Sequence, residues 1–409
     1  MLGFIVNCGS SSIKARLIET DTKETLFEAR AEHLNSPSSK VITTSCDVVN
    51  NLFADYHFLL SHEDALKSIL KDLKQREVIS NLEDISFVGH RIVHGGAFFS
   101  EPTIITEDVI EEISACNELA PLHNPVGIIG IRCCEELLPS AIHVAVFDTA
   151  FHQTIPEMSF RYAIPDKFYS EGIRKYGFHG TSYAYLTRKL RENVGEKNIS
   201  AIMAHIGQGA SVCAVKEGKS VYTSMEFSPL SGCIMGTRSG SVDPTIVQFI
   251  CKKYNCTTNQ VMSILNNESG LFALTGYSNM IDILNGAVNN SFSCICALDM
   301  FYTSIAENIA KAIISLGEKP KQIVFTGGIG ENSDVVRYKI LDKLTPLIGN
   351  IHLDIIKNTL NEYIITKSTS LVSVNEGFSS PKKDSGISVY VIKANEELEI
   401  ALEAAKLLS

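Results

Sequence analysis

The chain has 409 residues, 45% of them hydrophobic and 20% charged, which is the composition of a globular protein long enough for two domains. Its formal net charge of −10 and its lack of clustered Lys and Arg argue against nucleic acid as a partner. No apolar run reaches the length of a membrane span, and the nearest, residues 143–151, is interrupted by Asp148.

The cysteines indicate a reduced environment. Eleven are present, an odd number, and no C-x-x-C occurs, so neither a zinc site nor a thioredoxin-like motif is predicted. Residues 1–8 are too short and too uncharged for a secretory signal. We therefore expect a cytoplasmic protein.

The N-terminal region predicts a three-stranded meander, with strands over 4–8, 13–18 and 25–29 and polar turns at 9–12 and 20–23. The elements predicted next are helices over 62–79 and 107–118, strands over 85–89 and 142–147, and a fixed loop around His123 between two prolines. The last of these strands ends on Asp148. Ligands commonly bind at the carboxyl ends of such buried strands.

A second meander near residue 205 repeats the design of the first. Its strands cover 202–206, 211–215 and 221–224, and its turns fall at 207–209 and 217–219. Two meanders of this kind predict an internally duplicated α/β fold.

Two further glycine-rich segments predict contacts with an anion. Arg238 lies between two glycines, and strand 322–326 runs into the glycine loop 327–332, which opens a helix at about Ser333. Backbone amides in such turns point at phosphate oxygens. With Lys14 beside the first turn, these segments predict one polyphosphate held from several sides.

The remaining predictions concern the second half. They are helices over 182–193, 245–254 and 294–315, a loop-like stretch over 366–386, a strand over 387–392 and a closing helix from about Glu396. Asp243 before Pro244 reads as the N-cap of the helix that follows.

Ordered motifs cover the chain. They are NCGSSSIK (7–14), GHRIVHGG (89–96), LAPLHNP (119–125), VFDTAFHQTIP (146–156), YGFHGTS (176–182), HIGQGAS (205–211), GTRSG (236–240), FTGGIGENS (325–333) and ANEEL (394–398). In this order they resemble the acetate kinase family, which belongs to the acetate and sugar kinase, heat-shock and actin superfamily.

The resemblance implies a two-domain actin-like fold of the ribonuclease H type, with a cleft between the domains. The first domain is expected to cover 1–148 plus 396–409. The second, 149–395, is expected to carry most of the nucleotide site and the interface of a homodimer.

The resemblance also implies a reaction: reversible in-line transfer of the γ-phosphoryl group of ATP to acetate, giving ADP and acetyl phosphate, with Mg²⁺ or alternatively Mn²⁺. The carboxylate acceptor is already ionised at neutral pH, so no strong general base is required. The reaction instead needs arginines, a divalent cation and fixed hydrogen-bond donors that hold two anions together.

The site residues implied by the resemblance fall into four groups. The catalytic positions are Arg91, Asp148, His179 and Arg238, with His123 as further transition-state support. The metal positions are Asn7, Asp148 and Glu396, all oxygen ligands, as magnesium prefers. The phosphate and nucleotide positions are Ser10, Ser12, Lys14, His205, Gly207, Gln208, Gly209, Gly328, Ile329, Gly330 and Asn332. The acceptor positions are Arg91, Val93, Leu122, Phe178 and Pro229.

Several of these residues also have a purely structural interpretation. Asn7 and the serines that follow are common turn formers, and Asp148 could cap a helix. His90, His94, His143 and His152 are expected to be structural.

The acyl pocket predicts acetate as the first substrate. Val93, where a smaller alanine would leave more room, leaves little space beyond a methyl group. One methylene is worth only about 1–3 kcal/mol of discrimination, so propionate should be a poorer but usable acceptor.

The chain also departs from the family. Gln208 stands where Asn is usual, Glu226 where Gly is usual, Ser241 where Asp is usual, and Tyr183 where His is common. In the segment 278–282 an Asp and an Arg that normally contact the nucleoside are missing. Three interpretations therefore stand beside one another: an acetate kinase with altered nucleotide preference, a kinase of the same fold that uses propionate or pyrophosphate, and an actin-like nucleotide switch.

Overall fold

The computed structural model describes residues 1–45, 53–56, 60–121, 123–351, 353–360 and 386–409. The chain forms two compact units: the first is Met1–Gln153 with Gly180–Tyr185 and Asn395–Ser409, and the second is Thr154–His179 with Leu186–Ala394. Each unit is built around one mixed sheet that is covered by helices. The predicted duplicated α/β fold is confirmed.

The sheet of the first unit has eight strands in the order β5-β4-β3-β2-β1-β6-β8-β7. The strands are β1 Leu2–Gly9, β2 Ser12–Glu19, β3 Glu24–Glu32, β4 Lys40–Ser45, β5 Phe53–Tyr56, β6 Phe87–Ile92, β7 Thr103–Ile104 and β8 Ile142–Phe147. Strands β1, β6 and β8 are parallel neighbours, whereas β1 to β5 form an antiparallel series. The predicted N-terminal meander is confirmed.

The sheet of the second unit has five strands in the order β11-β10-β9-β12-β13. The strands are β9 Ser200–Ile206, β10 Ala210–Lys216, β11 Lys219–Thr223, β12 Gln322–Thr326 and β13 Ser388–Val391. The second meander is confirmed, and β9, β12 and β13 are parallel.

The helices complete both units. They are α1 His62–Gln75, α2 Glu107–Ala115, α3 Asn124–Leu137, α4 Glu157–Phe160, α5 Asp166–Ser170, α6 Gly180–Val194, α7 Thr245–Tyr254, α8 Thr258–Asn267, α9 Gly270–Thr275, α10 Met280–Val288, α11 Phe292–Leu316, α12 Gly327–Asn332, α13 Asp334–Ile348, α14 Ile355–Thr359 and α15 Glu396–Leu408. Short 3-10 turns cover Leu82–Asp84, Ala150–Thr154 and Glu196–Asn198.

No helix within the described ranges combines the length and apolar character that a bilayer crossing requires. The predicted loop over 366–386 lies, except for Gly386, outside the described residues.

Two predicted loops are helical. The segment after His123 forms α3, with Pro125 in its first turn, where a missing N–H costs nothing. Gly130 in this helix meets β1 so closely that a Cβ would lie 2.5 Å from Cys8 Sγ, so the packing requires the small residue. The predicted loop 327–332 is helix α12. Its starting residue, Gly327, has φ +78°, and its N–H donates to Glu331 Oε1 at 2.9 Å.

The C-terminal helix α15 belongs to the first unit. Its inner face buries Leu398, Ile400, Ala401 and Ala404, and burying an isoleucine contributes about 1.5–3 kcal/mol. The helix begins at a fixed point, because Asn395 Oδ1 accepts from Leu398 N at 3.2 Å and from Arg16 Nη1 at 2.9 Å. These contacts place Glu396 in the first turn.

The histidines expected to be structural, His90, His94, His143 and His152, are all buried. Burial lowers the pKa of His94 to about 4, and its Nδ1 accepts from Gly96 N at 3.0 Å. His90 Nε2 lies 3.0 Å from His143 Nδ1, and burial lowers the pKa of both. Protonation of these rings would place a charge in the core.

We expect the free energy of unfolding to fall as the pH drops from about 6.5 towards 4. In this window an unfolded histidine binds a proton that folded His94 does not, so the unfolded state gains protons and stability is lost. For His94 the loss is about 2 kcal/mol at pH 5. Urea unfolding at pH 7 and pH 5 measures it, and His94→Gln should show a smaller decline. An identical decline in the variant would mean that folded His94 is readily protonated.

Candidate active site

Three predicted site residues lie at one edge of the first sheet. Asn7 is near the end of β1, Arg91 near the end of β6, and Asp148 directly follows β8. Since these strands are parallel neighbours, their carboxyl ends meet at the same edge. The predictions for Asn7 and Asp148 are confirmed, whereas Arg91, expected just beyond a strand over 85–89, lies inside β6 because this strand runs to Ile92.

Arg91 and Asp148 form a two-point ion pair. Arg91 Nε donates to Asp148 Oδ1 at 3.1 Å, and Arg91 Nη2 donates to Oδ2 at 2.6 Å. Asn7 Oδ1 lies 3.5 Å from Arg91 Nη1, and Glu396 Oε2 lies 3.9 Å from Arg91 Nε. The cluster therefore gathers two carboxylates and an amide around one guanidinium.

The charges of the cluster depend on one another. Burial alone would lower the pKa of Arg91, but the carboxylates of Asp148 and Glu396 raise it above its ordinary value. Burial raises the pKa of Glu396, Arg91 lowers it, and the Asp148 charge raises it again. Arg91 is thus fixed as a cation, while Glu396 lies in a site that favours a further positive charge.

Asp148 is also held from its other side. Its Oδ1 accepts from Thr181 Oγ1 at 3.0 Å, and its carbonyl accepts from Gly180 N at 2.9 Å. A Cβ at Gly180 would lie 2.0 Å from that carbonyl oxygen, so only glycine allows the approach. The sequence reasoning missed Thr181 as a site residue, although it lies within the motif YGFHGTS.

The donor set Asn7, Asp148 and Glu396 suits a magnesium ion in its chemistry. Magnesium is commonly bound by one or two carboxylates and keeps several waters or phosphate oxygens. Among the described residues, no three His, Cys, Asp or Glu side chains form a metal cluster, and the set here has two carboxylates and one amide. Such a set leaves coordination positions for a phosphate substrate.

The predicted phosphate turn lies beside this cluster. Ser10 is exposed in the turn, and Ser12 begins β2. Lys14 is exposed on β2 and pairs in register with Asn7. The Lys14 charge also lowers the pKa of Glu396. Its effect is smaller than that of burial, Arg91 or the two acidic neighbours.

Hydrogen bonds join two of the predicted acceptor segments. Asn124 Oδ1 accepts from His94 N at 3.1 Å, and Asn124 Nδ2 donates to His94 O at 2.9 Å. Val93 and His123 therefore lie on segments that are tied together, and His123 is the residue that precedes α3. Leu122, another of the predicted acceptor positions, lies outside the described residues. Asn124 was missed by the sequence reasoning.

In the second unit two imidazoles are stacked. The rings of His179 and His205 are 4.2 Å apart at 23°, and His179 Nδ1 lies 2.9 Å from Ser211 Oγ. His179 has φ +59°, which a residue with a side chain adopts at a cost of about 1–3 kcal/mol. Such strain at a residue between buried Phe178 and Gly180 indicates a functional constraint. Ser211 was missed, although it closes the motif HIGQGAS.

Arg238 lies beside the same imidazole. A Cβ at Gly209 would be 3.4 Å from His179 Nε2 and 3.7 Å from Arg238 Nη1, so the three groups converge. Arg238 Nη1 donates to Pro229 O at 3.3 Å, and no carboxylate of the described residues pairs with it. Burial lowers its pKa below the ordinary value. A half-buried guanidinium that has no carboxylate partner among the described residues marks a place for an anion.

The turn between β9 and β10 is closed by its own backbone. Gly207 N donates to Gly209 O at 2.9 Å, and Gly236 N donates to Gln208 O at 3.4 Å. A Cβ at Gly236 would lie 2.6 Å from Gln208 Oε1. The longer side chain of Gln208 therefore lies against the segment that carries Arg238.

The predicted nucleotide positions lie on helix α12. Gly328 and Asn332 are exposed, Ile329 is half-buried and Gly330 is buried. Asn332 Nδ2 donates to Gly328 O at 2.8 Å. The buried Arg337, missed by the sequence reasoning, donates to Gly330 O and to Glu331 O, both at 2.9 Å. Arg337 thus fixes the buried side of α12, while Gly328 and Asn332 on its other side are exposed to solvent.

The altered segment 278–282 starts a helix. Asn279 caps α10, and its Oδ1 accepts from Ile281 N at 3.0 Å. Ile281 is 65% exposed. An apolar, exposed side chain here supplies neither charge nor stacking plane to a nucleoside.

Two actin-like units that carry arginines, stacked imidazoles and glycine-rich turns define a phosphotransferase. The chain belongs to the acetokinase family, whose sequence model matches residues 2–402. These enzymes are kinases with a carboxyl group as phosphoryl acceptor, and ATP is a substrate.

Individual proteins agree with this assignment. The chain is 40% identical over 409 residues to the acetate kinase of Carboxydothermus hydrogenoformans, covering 99% of this chain and 98% of that one. It is similar to the crystal structure of a propionate kinase from Francisella tularensis, with a TM-score of 0.89, 36% identity and 98% of each chain covered. It is also similar to the crystal structure of Porphyromonas gingivalis acetate kinase, with a TM-score of 0.86, 34% identity and 100% of each chain covered.

Proposed function

We propose that this chain catalyses the reversible transfer of the γ-phosphoryl group of ATP to acetate, forming acetyl phosphate and ADP. Among its structural features, the half-buried guanidinium of Arg238 beside the stacked His179 supports this proposal most directly. Its charge has no carboxylate partner in the described parts of the chain, and a transferring phosphoryl group would supply one.

The chemistry requires position and charge more than proton transfer. An acetate oxygen forms a bond to the γ-phosphorus, and the bond from that phosphorus to the bridging oxygen of ADP breaks. No proton needs to leave the acceptor, since acetate is ionised. Arg238 and His179 are proposed to neutralise the equatorial oxygens, and Arg91 is proposed to orient the acetate carboxylate.

Asn7, Asp148 and Glu396 are proposed to hold Mg²⁺, or alternatively Mn²⁺. When bound, the ion would supply positive charge that offsets the negative charge of the nucleotide phosphates. In this arrangement Arg91 orients the Asp148 carboxylate through two hydrogen bonds, and Thr181 donates a third to Oδ1. Ser10, Ser12, Lys14 and the β9–β10 turn are proposed to contact the donor phosphates, and the exposed face of α12 the adenosine end.

The alternative acceptor is propionate. The similarity of this chain, at 36% identity, to a propionate kinase from Francisella tularensis supports this alternative. Val93 and the buried Phe178 favour the smaller acyl group. The alternative donor is pyrophosphate, because segment 278–282 offers Ile281 where a charged side chain would contact a nucleoside.

Acyl phosphate formation, trapped with hydroxylamine, tests the proposal. Purified protein with Mg²⁺ would be given acetate or propionate and either ATP, GTP or pyrophosphate, and in reverse acetyl phosphate with ADP or phosphate. Strong activity with ATP and acetate is expected. Turnover with phosphate or pyrophosphate alone would assign another donor, and silence with every pair would favour a nucleotide switch.

We also propose a homodimer formed through the second unit. Light scattering at working concentration should give twice the chain mass of 44.8 kDa. A monomeric mass would contradict this.

A further inference from the structure

A carboxylate that the family resemblance does not provide lies after β11. Glu226 stands where the acetate kinases usually have glycine. Its Oε1 lies 2.9 Å from Lys175 Nζ, and its Oε2 accepts from Tyr162 Oη at 3.0 Å. The Tyr162 oxygen accepts in turn from Phe227 N at 3.2 Å. These bonds connect the Glu226 side chain, through a tyrosine, to the next residue of its own backbone.

The main chain of Glu226 holds the segment that leads to His179. Its carbonyl accepts from Tyr176 N at 2.9 Å and from Gly177 N at 3.1 Å. Phe178 and His179 follow directly. The Glu226 side chain pairs with Lys175, the residue just before this segment. The carboxylate and the carbonyl of Glu226 therefore both contact residues 175–177.

The same segment also contacts the other phosphoryl-binding group. Pro229, three residues beyond Glu226, accepts from Arg238 Nη1 at 3.3 Å. Residues 226–229 therefore contact both the segment that leads to His179 and the side chain of Arg238. A shift of this short segment would move both.

The contacts of Glu226 orient its side chain more than they stabilise the fold. The side chains of Glu226 and Lys175 are 30% and 24% exposed, so solvent screens part of the attraction and the pair itself adds little stability. Burial and the Glu226 charge raise the pKa of Tyr162, which keeps its hydroxyl protonated as the donor. The Tyr162 hydroxyl thus donates one hydrogen bond, to Glu226, and accepts one, from Phe227 N.

We propose that Glu226, acting through Tyr162 and Lys175, is a positioning residue for the acyl acceptor. It fixes residues 226–229 against residues 175–177 and thereby sets the separation of Phe178 and Pro229, the two acceptor positions of the second unit. The inference rests on the proposed function. It predicts that loosening this contact affects the acyl substrate and the transfer step, and leaves nucleotide binding unchanged.

Three variants test the proposal. Glu226→Gly removes the carboxylate, Tyr162→Phe removes its link to Phe227, and Glu226→Gln keeps an acceptor for Tyr162. For Glu226→Gly we expect the KM for acetate to rise about tenfold, kcat to fall about fivefold, and the rate with propionate relative to acetate to rise. Tyr162→Phe should change the same quantities in the same direction, and Glu226→Gln should retain most of the parental values. The KM for ATP should stay within about twofold in all three.

The controls separate positioning from folding and from the proposed function. Glu196→Gln disrupts another ion pair of the same unit, with Arg191 at 3.0 Å, and should leave all constants unchanged. A variant Glu226→Gly with parental KM, kcat and acyl preference, whatever its thermal midpoint, would overturn the proposal. Equal increases in the KM for acetate and for ATP would also overturn it. Absence of acetate-dependent hydroxamate in the parent protein would instead overturn the proposed function.

Discussion

Replacing Arg238 with alanine is expected to lower kcat for acetyl phosphate formation by about a thousandfold. Its guanidinium is half-buried beside His179 and has no carboxylate partner in the described chain, so its charge is available to a bound anion. Because burial lowers its pKa, the folded state bears the cost of desolvating it. The midpoint of urea unfolding should therefore stay constant or rise in the variant.

A surface arginine of the same unit provides the matched control. Arg191 is 44% exposed and paired with Glu196, so Arg191→Ala should leave both kcat and the urea midpoint near the parental values. Activity of Arg238→Ala within about threefold of the parent would show that this guanidinium does not act on the reacting groups. A large loss of stability would show that it has a structural partner.

The second prediction concerns Arg91, for which we expect losses in both activity and stability. Arg91→Ala should lower kcat by about a thousandfold and the free energy of unfolding by about 3–5 kcal/mol. The second effect arises because Asp148, only 1% exposed, would keep its charge in a buried place without its two-point partner. Steady-state kinetics and urea unfolding measure the two effects separately.

A double variant distinguishes these two roles. Arg91→Met with Asp148→Asn removes both charges, so it should recover most of the lost stability and none of the activity. Recovery of activity would exclude Arg91 and Asp148 from the reaction. Unchanged stability in the single variant would mean that Asp148 finds another cation or is protonated in the folded state.

The strands and their terminal residues could be predicted from the sequence because their signals are local. Asp148 follows a strand that is apolar except for His143, and both meanders have turn residues at each reversal. The bounds of α7 agree with the prediction to the residue. Asp243, predicted as the N-cap, instead precedes the N-cap residue Pro244, but its Oδ1 accepts from Thr245 N at 2.8 Å and so still has a structural role at the start of this helix.

The helices that were predicted as loops are stabilised by contacts with residues distant in the sequence. Helix α3 contains two glycines that local propensity disfavours, and one of them is required by the close approach of Cys8. Helix α12 was read as a loop because its glycines lack helix propensity, whereas its first turn is held by Glu331 and its end by Arg337. Helices α8, α9 and α10 were not predicted at all.

The residues of the candidate site were proposed from motifs, whereas the contacts that support them were not predicted. Thr181 and Ser211 lie inside recognised motifs, yet only the structure shows that they bind Asp148 and His179. Glu226 was noticed as a departure from the family. Its partner Tyr162 lies 64 residues away along the chain, a separation at which no local pattern indicates contact.

The C-terminal position of helix α15 has a consequence for biosynthesis. The first unit begins at Met1 but includes Asn395–Ser409, so its fold and its Glu396 carboxylate are complete only after the second unit has been translated. At roughly 5–20 residues per second the ribosome needs on the order of tens of seconds for the intervening chain. A nascent or prematurely released chain therefore lacks one of the proposed metal ligands. Such a fragment has every strand of the first sheet but lacks α15, so the apolar surface that this helix covers would be exposed to chaperones and proteases.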